Sequence, residues 1–220
     1  MNILIVGGGL QALSVARSLK KERYSVIALL HRGDISTKSK YIDELYTIDI
    51  TPTYKKEYLS SVHRVLQVHA ISVIIPLSDV TAEFLSIHKV NLEHEYHLKC
   101  AIPNYDIFQK ANDKWQLIDL CKENFIPHPR TQLLTSSNLQ EAAGAIGFPA
   151  LIKPNISVGA RGITMVCSLS DLQDKYDGIL RKYGECTLQE YIDTSGAPYY
   201  NVMMYRDEKG NIINTAIIEI

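Results

Sequence analysis

Short apolar runs at 3–6, 26–30, 45–48 and 73–77 alternate with stretches of helical periodicity, and that alternation constrains the fold more than any other feature of the chain. Runs of this length are strands, and their unbroken apolar character asks for cover on both faces. Gly7, Gly8 and Gly9 follow the first run, and Leu13, Ala16 and Leu19 then recur about once per turn. After Pro52, Tyr58, Leu59, Val62, Val65 and Leu66 form the stripe of an amphipathic helix. After the fourth run, Ser78 or Asp79 offers an N-cap to a helix expected to turn Val80, Phe84 and Ile87 inward. Strands alternating with helices predict an α/β fold with an open, right-handedly wound parallel sheet. Ligands of such sheets lie at the carboxyl ends of the strands, so Gly8, Gly9, Ser78 and Asp79 are candidates to line one substrate crevice. A tight turn followed by a helix cap accounts for the same residues.

Gly7, Gly9 and Ala12 also fit the G-x-G-x-x-A fingerprint of dinucleotide-binding turns. The next strand, however, runs into His31, Arg32 and Gly33, where an acidic partner for ribose hydroxyls belongs. That counts against NAD and leaves Arg32 to support a phosphorylated dinucleotide. His88, His94 and His97 follow no ligand spacing, and Asn91, Glu93 and Glu95 make their segment read as a solvated connection, so no metal site is expected there.

A short strand at 100–103 precedes a helix at 105–124 with Ile107, Phe108, Ala111, Trp115, Ile118 and Cys121 on one stripe, interrupted near Asn112 and Asp113. Pro127 and Pro129 make a rigid connection. A strand at 131–134 then leads to capping-box spacings from Ser137, a helix burying Leu139, Ala142, Ala143 and Ile146, and Gly147 as a left-handed cap. Next, Ala150, Leu151 and Ile152 form a strand between Pro149 and Pro154, with Lys153 at its mouth, and strand composition resumes at 163–166. Between them Ser157, Gly159, Ala160 and Gly162 are small enough to let backbone N–H groups approach an anion, and Lys153 and Arg161 bring positive charge. Taken alone, the segment reads equally as a plain hairpin with two solvated cations. Ser170 is expected to cap a helix burying Leu172, Tyr176, Ile179, Leu180 and Tyr183, closed by Gly184. The strand-like 187–192, Thr-Leu-Gln-Glu-Tyr-Ile, comes last before a tail that is strand-like again at 216–220.

Asp113-Lys114, the Lys153 strand, the glycine loop and Gln189-Glu190-Tyr191-Ile192, in that order, resemble the ATP-grasp superfamily, most closely its carbamoyl-phosphate-synthase-large-chain-like carboxylate–amine ligases. The resemblance covers essentially the whole chain. It implies a Rossmann-like pre-ATP-grasp domain at 1–104, a helical linker at 105–130, a small lid subdomain at 131–187, and the hinge and start of the large sheet at 188–220. It further implies ATP as cofactor, with Lys114 and Lys153 on its phosphates, Ser157, Gly159, Ala160, Arg161 and Gly162 in a loop over them, and Glu190, Tyr191 and Ile192 at the adenine. Apolar neighbours with a few hydrogen bonds at the ring edge are what a purine needs. The reaction implied is activation of a carboxylate or bicarbonate as an acyl phosphate and attack by an amine or ammonia, which are the expected small-molecule partners; a homodimer is compatible with it. Two departures stand out. Pro198 occupies the position of the family's ribose-binding glutamate, and the family's metal ligands and catalytic arginine lie further along than residue 220, so no catalytic residue and no metal ligand is expected here and Mg2+ belongs with the missing part. The chain therefore reads as truncated.

With 46% hydrophobic residues and a net charge of −1, the chain can build a core but carries no electrostatic footprint for nucleic acid or an anionic membrane. Cys100, Cys121, Cys167 and Cys186 are too scattered for a disulfide framework or a zinc site, and no leader or spanning run opens the sequence, so a cytoplasmic protein is expected. Two alternatives stay open: an NADP-dependent oxidoreductase using the Gly7–Gly9 turn, and a non-catalytic nucleotide-binding module.

Overall fold

The computed structural model describes residues 1–52, 55–207 and 209–219. Its contacts divide the chain into two units, Met1–Asp113 and Lys114–Ile220.

In the first unit β1 (Asn2–Val6), β2 (Ser25–His31), β3 (Glu44–Ile48), β4 (Ile71–Pro76) and β5 (Lys99–Cys100) form one parallel sheet in the order β3-β2-β1-β4-β5. The chain winds outward from β1 to β3 and then crosses back to β4, so the order reverses beside β1, where open α/β sheets receive ligands. Side chains alternate across the sheet. Leu4, Val6, Ile27, Leu29 and Ile74 pack under α2 (Lys55–Val68) and α3 (Asp79–Tyr96), while Ile5, Val26, Ala28 and Leu30 meet Ala12 and Ala16 of α1 (Gly9–Lys21). The small side chains of α1 let it lie close to the sheet.

Three expectations for this unit are corrected. Val80 is half exposed, Ile87 is only partly buried, and the buried residues of α3 are Thr81, Phe84, Leu85, Ser86 and Leu92. Thr81 sets that phase: it completes a capping box with Ser78, accepting from the Ser78 amide at 3.0 Å while Ser78 Oγ accepts from the Thr81 amide at 3.3 Å. The 88–97 segment is helix through Tyr96, with His97 as a left-handed cap, because Leu85 and Leu92 continue the buried stripe while Lys89 donates to Ile102 O at 2.7 Å and Glu93 accepts from the Cys100 amide at 2.9 Å. The 105–124 stripe is broken into α4 (Tyr105–Asn112), which buries no residue, and α5 (Lys114–Glu123), which buries Ile118. Asp113, at ψ 117°, interrupts the helix and with it the phase of the stripe.

In the second unit β6 (Thr131–Leu133), β7 (Ala150–Pro154), β8 (Thr164–Val166) and β9 (Cys186–Glu190) form an antiparallel sheet in the order β6-β9-β7-β8. One face is closed by α6 (Leu139–Ile146) and α7 (Leu169–Tyr183), with Ala150, Ile152, Val166, Cys186 and Leu188 beneath Ala142, Ile146, Leu172 and Tyr176. Caps differ from expectation. Ser168, not Ser170, caps α7, its Oγ accepting from the Asp171 amide at 3.2 Å, and the helix starts a turn-fraction earlier as a result. Asn138 rather than Ser137 precedes α6, and its side chain is drawn away to the Thr135 amide at 2.8 Å. Gly147 has positive φ, but its ψ of −175° is extended, not left-handed helical. Beyond these elements β10 (Tyr200–Arg206) pairs with β11 (Ile212–Glu219) as a separate two-stranded ribbon, every residue of it exposed; Ile220 falls outside the described residues. Among the described residues, no helix is long and apolar enough to cross a membrane.

Candidate functional site

Strand alternation builds the face of this sheet opposite α6 and α7, which is open at Lys153 and Gln189 and closed over the buried Thr187 and Thr131. With Ala150, Ile152, Cys186 and Leu188 committed to the core, Leu151 and Lys153 of β7 and Thr187 and Gln189 of β9 turn the other way, joined by Thr131 of β6. Lys153 is half-buried there and donates its Nζ proton to Gln189 Oε1. Burial first, and then the charge of Lys114, pull the Lys153 ammonium below the ordinary lysine range. An anion beside both ammonium groups would relieve that repulsion.

Lys114 opens α5 and ties down the root of the glycine loop. Its amide donates to Asn155 O at 2.9 Å, and its Nζ donates to Ser157 Oγ at 3.1 Å and Ser157 O at 3.2 Å. Asn155 is 3% exposed, and its Oδ1 has no hydrogen-bond partner among the described residues, an unfavourable arrangement for a buried acceptor. Lys114, Lys153 and Ser157 thus form one cluster. Beyond it Gly159, Ala160 and Arg161 are exposed, with φ near +60° at Gly159 and Ala160, and the loop turns back through hydrogen bonds from the Arg161 amide to Val158 O and from the Ile163 amide to Ala160 O, both 3.2 Å.

Glu190 ends β9, and its carboxylate is already engaged. Arg130 donates to it from its backbone N–H at 2.8 Å and from Nε at 2.7 Å, and in that order these bonds hold the carboxyl below the usual carboxylate range. The groups of the hinge facing outward are therefore Tyr191 and Ile192, both exposed, rather than the Glu190 side chain. Arg130 escaped sequence reading. Its signal is the strand register: Thr131 opposite Gln189 puts Arg130 opposite Glu190, a pairing 60 residues apart in the chain.

In the first unit Gly7, Gly8, Ser78, Thr81 and Tyr58 line a cleft of about 130 Å³ at the carboxyl ends of the strands. Gly9 and Asp79 begin α1 and α3. A larger groove along α1, about 460 Å³ between Leu10, Leu13, Arg17 and Tyr41, contains none of the candidate residues. The Gly9 amide does not await an anion, because both oxygens of Asp34 accept from it at 3.0 Å. Asp34 also accepts from the Ser36 amide at 2.8 Å and from the Ser36 hydroxyl. Glycine is required at position 8 for this approach, since a Cβ there would lie 2.1 Å from Asp34 Oδ2. Nothing at this turn supports the dinucleotide reading: the Gly9 N–H that a pyrophosphate would use is paired with the chain's own carboxylate.

Burial opposes the ionisation of Asp34, but the Ser36 hydroxyl, the Gly9 and Ser36 amides and nearby His31 outweigh it, so the carboxyl is held below the usual range. A lowered folded-state pKa contributes stability that is present above the unfolded value, ~3.9, and is lost as pH falls through the folded one. Asp34→Ala is expected to destabilise the chain by about 1–2 kcal/mol at pH 7 in urea unfolding, as loss of a helix cap does. The difference from the parent should shrink as pH drops below 4 toward the folded pKa.

No protein-family profile matches the chain. Among characterised proteins it is 23% identical to D-aspartate ligase of Enterococcus faecium (strain Aus0004) over 167 residues, 70% of this chain and 38% of that protein. It is 26% identical to the carbamoyl phosphate synthase large chain of Saccharolobus solfataricus over 220 residues, 96% of this chain and 20% of that protein. Among solved structures, the biotin carboxylase domain of Hydrogenobacter thermophilus 2-oxoglutarate carboxylase, a dimer with MgADP, ADP and bicarbonate, superposes with a TM-score of 0.78 at 20% identity, covering 96% of this chain and 48% of that one. N5-carboxyaminoimidazole ribonucleotide synthetase from Thermotoga maritima gives 0.72 at 21% identity, covering 100% and 53%. The chain thus spans well under half the length of these sequence relatives and about half of these solved chains.

Proposed function

We propose that this chain, a relative of the ATP-grasp ligases, binds ATP on the open face of its second unit, as part of an enzyme that joins a carboxylate or bicarbonate to an amine or ammonia through an acyl phosphate. The observation that carries the reading is the cluster of Lys153, Lys114 and Ser157, two repelling cations at the root of a glycine loop, with Asn155 Oδ1, which has no hydrogen-bond partner among the described residues, buried beside them. In this reading Lys114 and Lys153 hold phosphates, residues 157–162 exclude water above them, and Tyr191 and Ile192 border the adenine while Arg130 fixes the hinge through Glu190. Bound ATP supplies the phosphoryl group; positioning and charge neutralisation are what these residues add. The Gly8 and Ser78 cleft is the candidate place for a small substrate. Self-association is part of the proposal, by analogy with the dimeric H. thermophilus domain. Among the described residues, no group of three or more His, Cys, Asp and Glu side chains could hold a metal ion.

Calorimetric titration tests the reading. ATP should bind and NADPH should not; tighter binding of NADPH, or no ATP binding at all, would overturn it.

A further inference from the structure

Three hydrogen bonds run in series across the open face of the second unit. Lys153 Nζ donates to Gln189 Oε1, Gln189 Nε2 donates to Thr131 Oγ1 at 3.0 Å, and the Thr131 hydroxyl donates to Pro129 O at 2.9 Å. Strand pairing brings Lys153, Gln189 and Thr131 together. Thr131 stands directly opposite Gln189 across β6 and β9, and Lys153, opposite Thr187, is the diagonal neighbour of Gln189 on β7.

The order of the series fixes its polarity. A hydroxyl has one proton, and that of Thr131 goes to Pro129 O, so toward Gln189 it can only accept. The amide nitrogen must therefore face Thr131, and the amide oxygen must face the lysine. The opposite orientation would set N–H groups against an ammonium. Thr131 is 5% exposed, which shelters this anchor from water. Lys153 meanwhile sits half-buried and beside Lys114, conditions that disfavour its charged form. Gln189 is the acceptor that opposes them.

We propose that Gln189, oriented by Thr131, is a positioning residue that keeps Lys153 protonated and pointed along the open face to meet a phosphate. The proposal rests on the ATP reading above and deepens it. Gln189 does not touch the reacting atoms; it acts through the lysine. A neutral amide suits this role better than a carboxylate, because it steadies the ammonium without cancelling the charge that attracts an anion.

The test combines ATP affinity across pH with the titration of Lys153 itself, followed by NMR of its side-chain methylene in the nucleotide-free chain. Gln189→Leu should weaken ATP binding about three- to tenfold, the loss of one hydrogen bond to a charged group's partner. It should also move the alkaline fall-off of binding, and the lysine titration, to lower pH. Thr131→Val should do the same more weakly, and Thr131→Ser, which keeps the hydroxyl, should restore the parent behaviour. Gln189→Glu should move the titration to higher pH and still bind ATP less well, because the lysine's charge is then spent on the carboxylate. In a Lys153→Ala background, Gln189→Leu should change nothing further. An unchanged Lys153 titration in Gln189→Leu overturns the proposal whether or not ATP binds. Absence of ATP binding by the parent chain, with the titration shifted as expected, would instead sink the ATP reading and leave Gln189 as the residue that holds Lys153.

Discussion

Lys153→Ala is expected to cost the chain at least about tenfold in ATP affinity, the range for losing a charge-assisted hydrogen bond of roughly 1.5–3 kcal/mol. The effect is large because the ammonium is half-buried on a face where the sheet cannot replace it: its neighbours across the strands are Thr187 and Gln189, both neutral. Lys114 is held on the loop root by Ser157 and does not substitute for it. Titration calorimetry at constant pH and salt reads the change directly. Parent-like affinity in a folded Lys153→Ala chain would remove the open face from the nucleotide site.

Gly162→Ala should have the largest effect on stability of any change in the loop, about 2–3 kcal/mol, combining a left-handed φ with a steric clash. The φ of Gly162 is +76°, and a Cβ there would stand 2.7 Å from Pro154 Cγ and 2.8 Å from Tyr183 Cδ2. Pro154 ends β7 and Tyr183 ends α7, so neither can retreat without loosening the sheet or its covering helix. Gly159→Ala is the natural control. It has φ +60° but nothing within 4 Å, and should cost only about 1 kcal/mol, the backbone part alone. Urea unfolding of both variants separates the clash from the strain; equal midpoints would show that Gly162 is not the loop's clamp.

Periodicity made most elements readable. The buried runs at Leu4, Leu29 and Ile74 and the stripe of Tyr58, Val62 and Val65 each report a face that must be covered, and local pattern alone carries that information. Lys114, Lys153 and Ser157 were readable as candidates because motif order carries across a chain even when identity is low. What local pattern does not carry is the partner of a polar side chain. Arg130 with Glu190 and Thr131 with Gln189 are set by the pairing of β6 with β9, 58 to 60 residues apart, and no spacing announces them. Asp34 escapes local pattern for a related reason: the fingerprint places its acidic residue at the end of β2, and this one lies after a glycine turn, reaching back to Gly9. Errors of phase, at Val80 and along α4, arose where a cap or a break rather than a stripe decides how a helix is rotated.

The Asp34 contact reverses a sign. A helix N-terminus presents about half a positive elementary charge, and a carboxylate brings a whole negative one, so the first turn of α1 is left with roughly half a negative charge. Three consecutive glycines after a first strand look like an anode built for phosphate. In this protein the positive end of the same turn is already met from within the chain, by the carboxylate of Asp34.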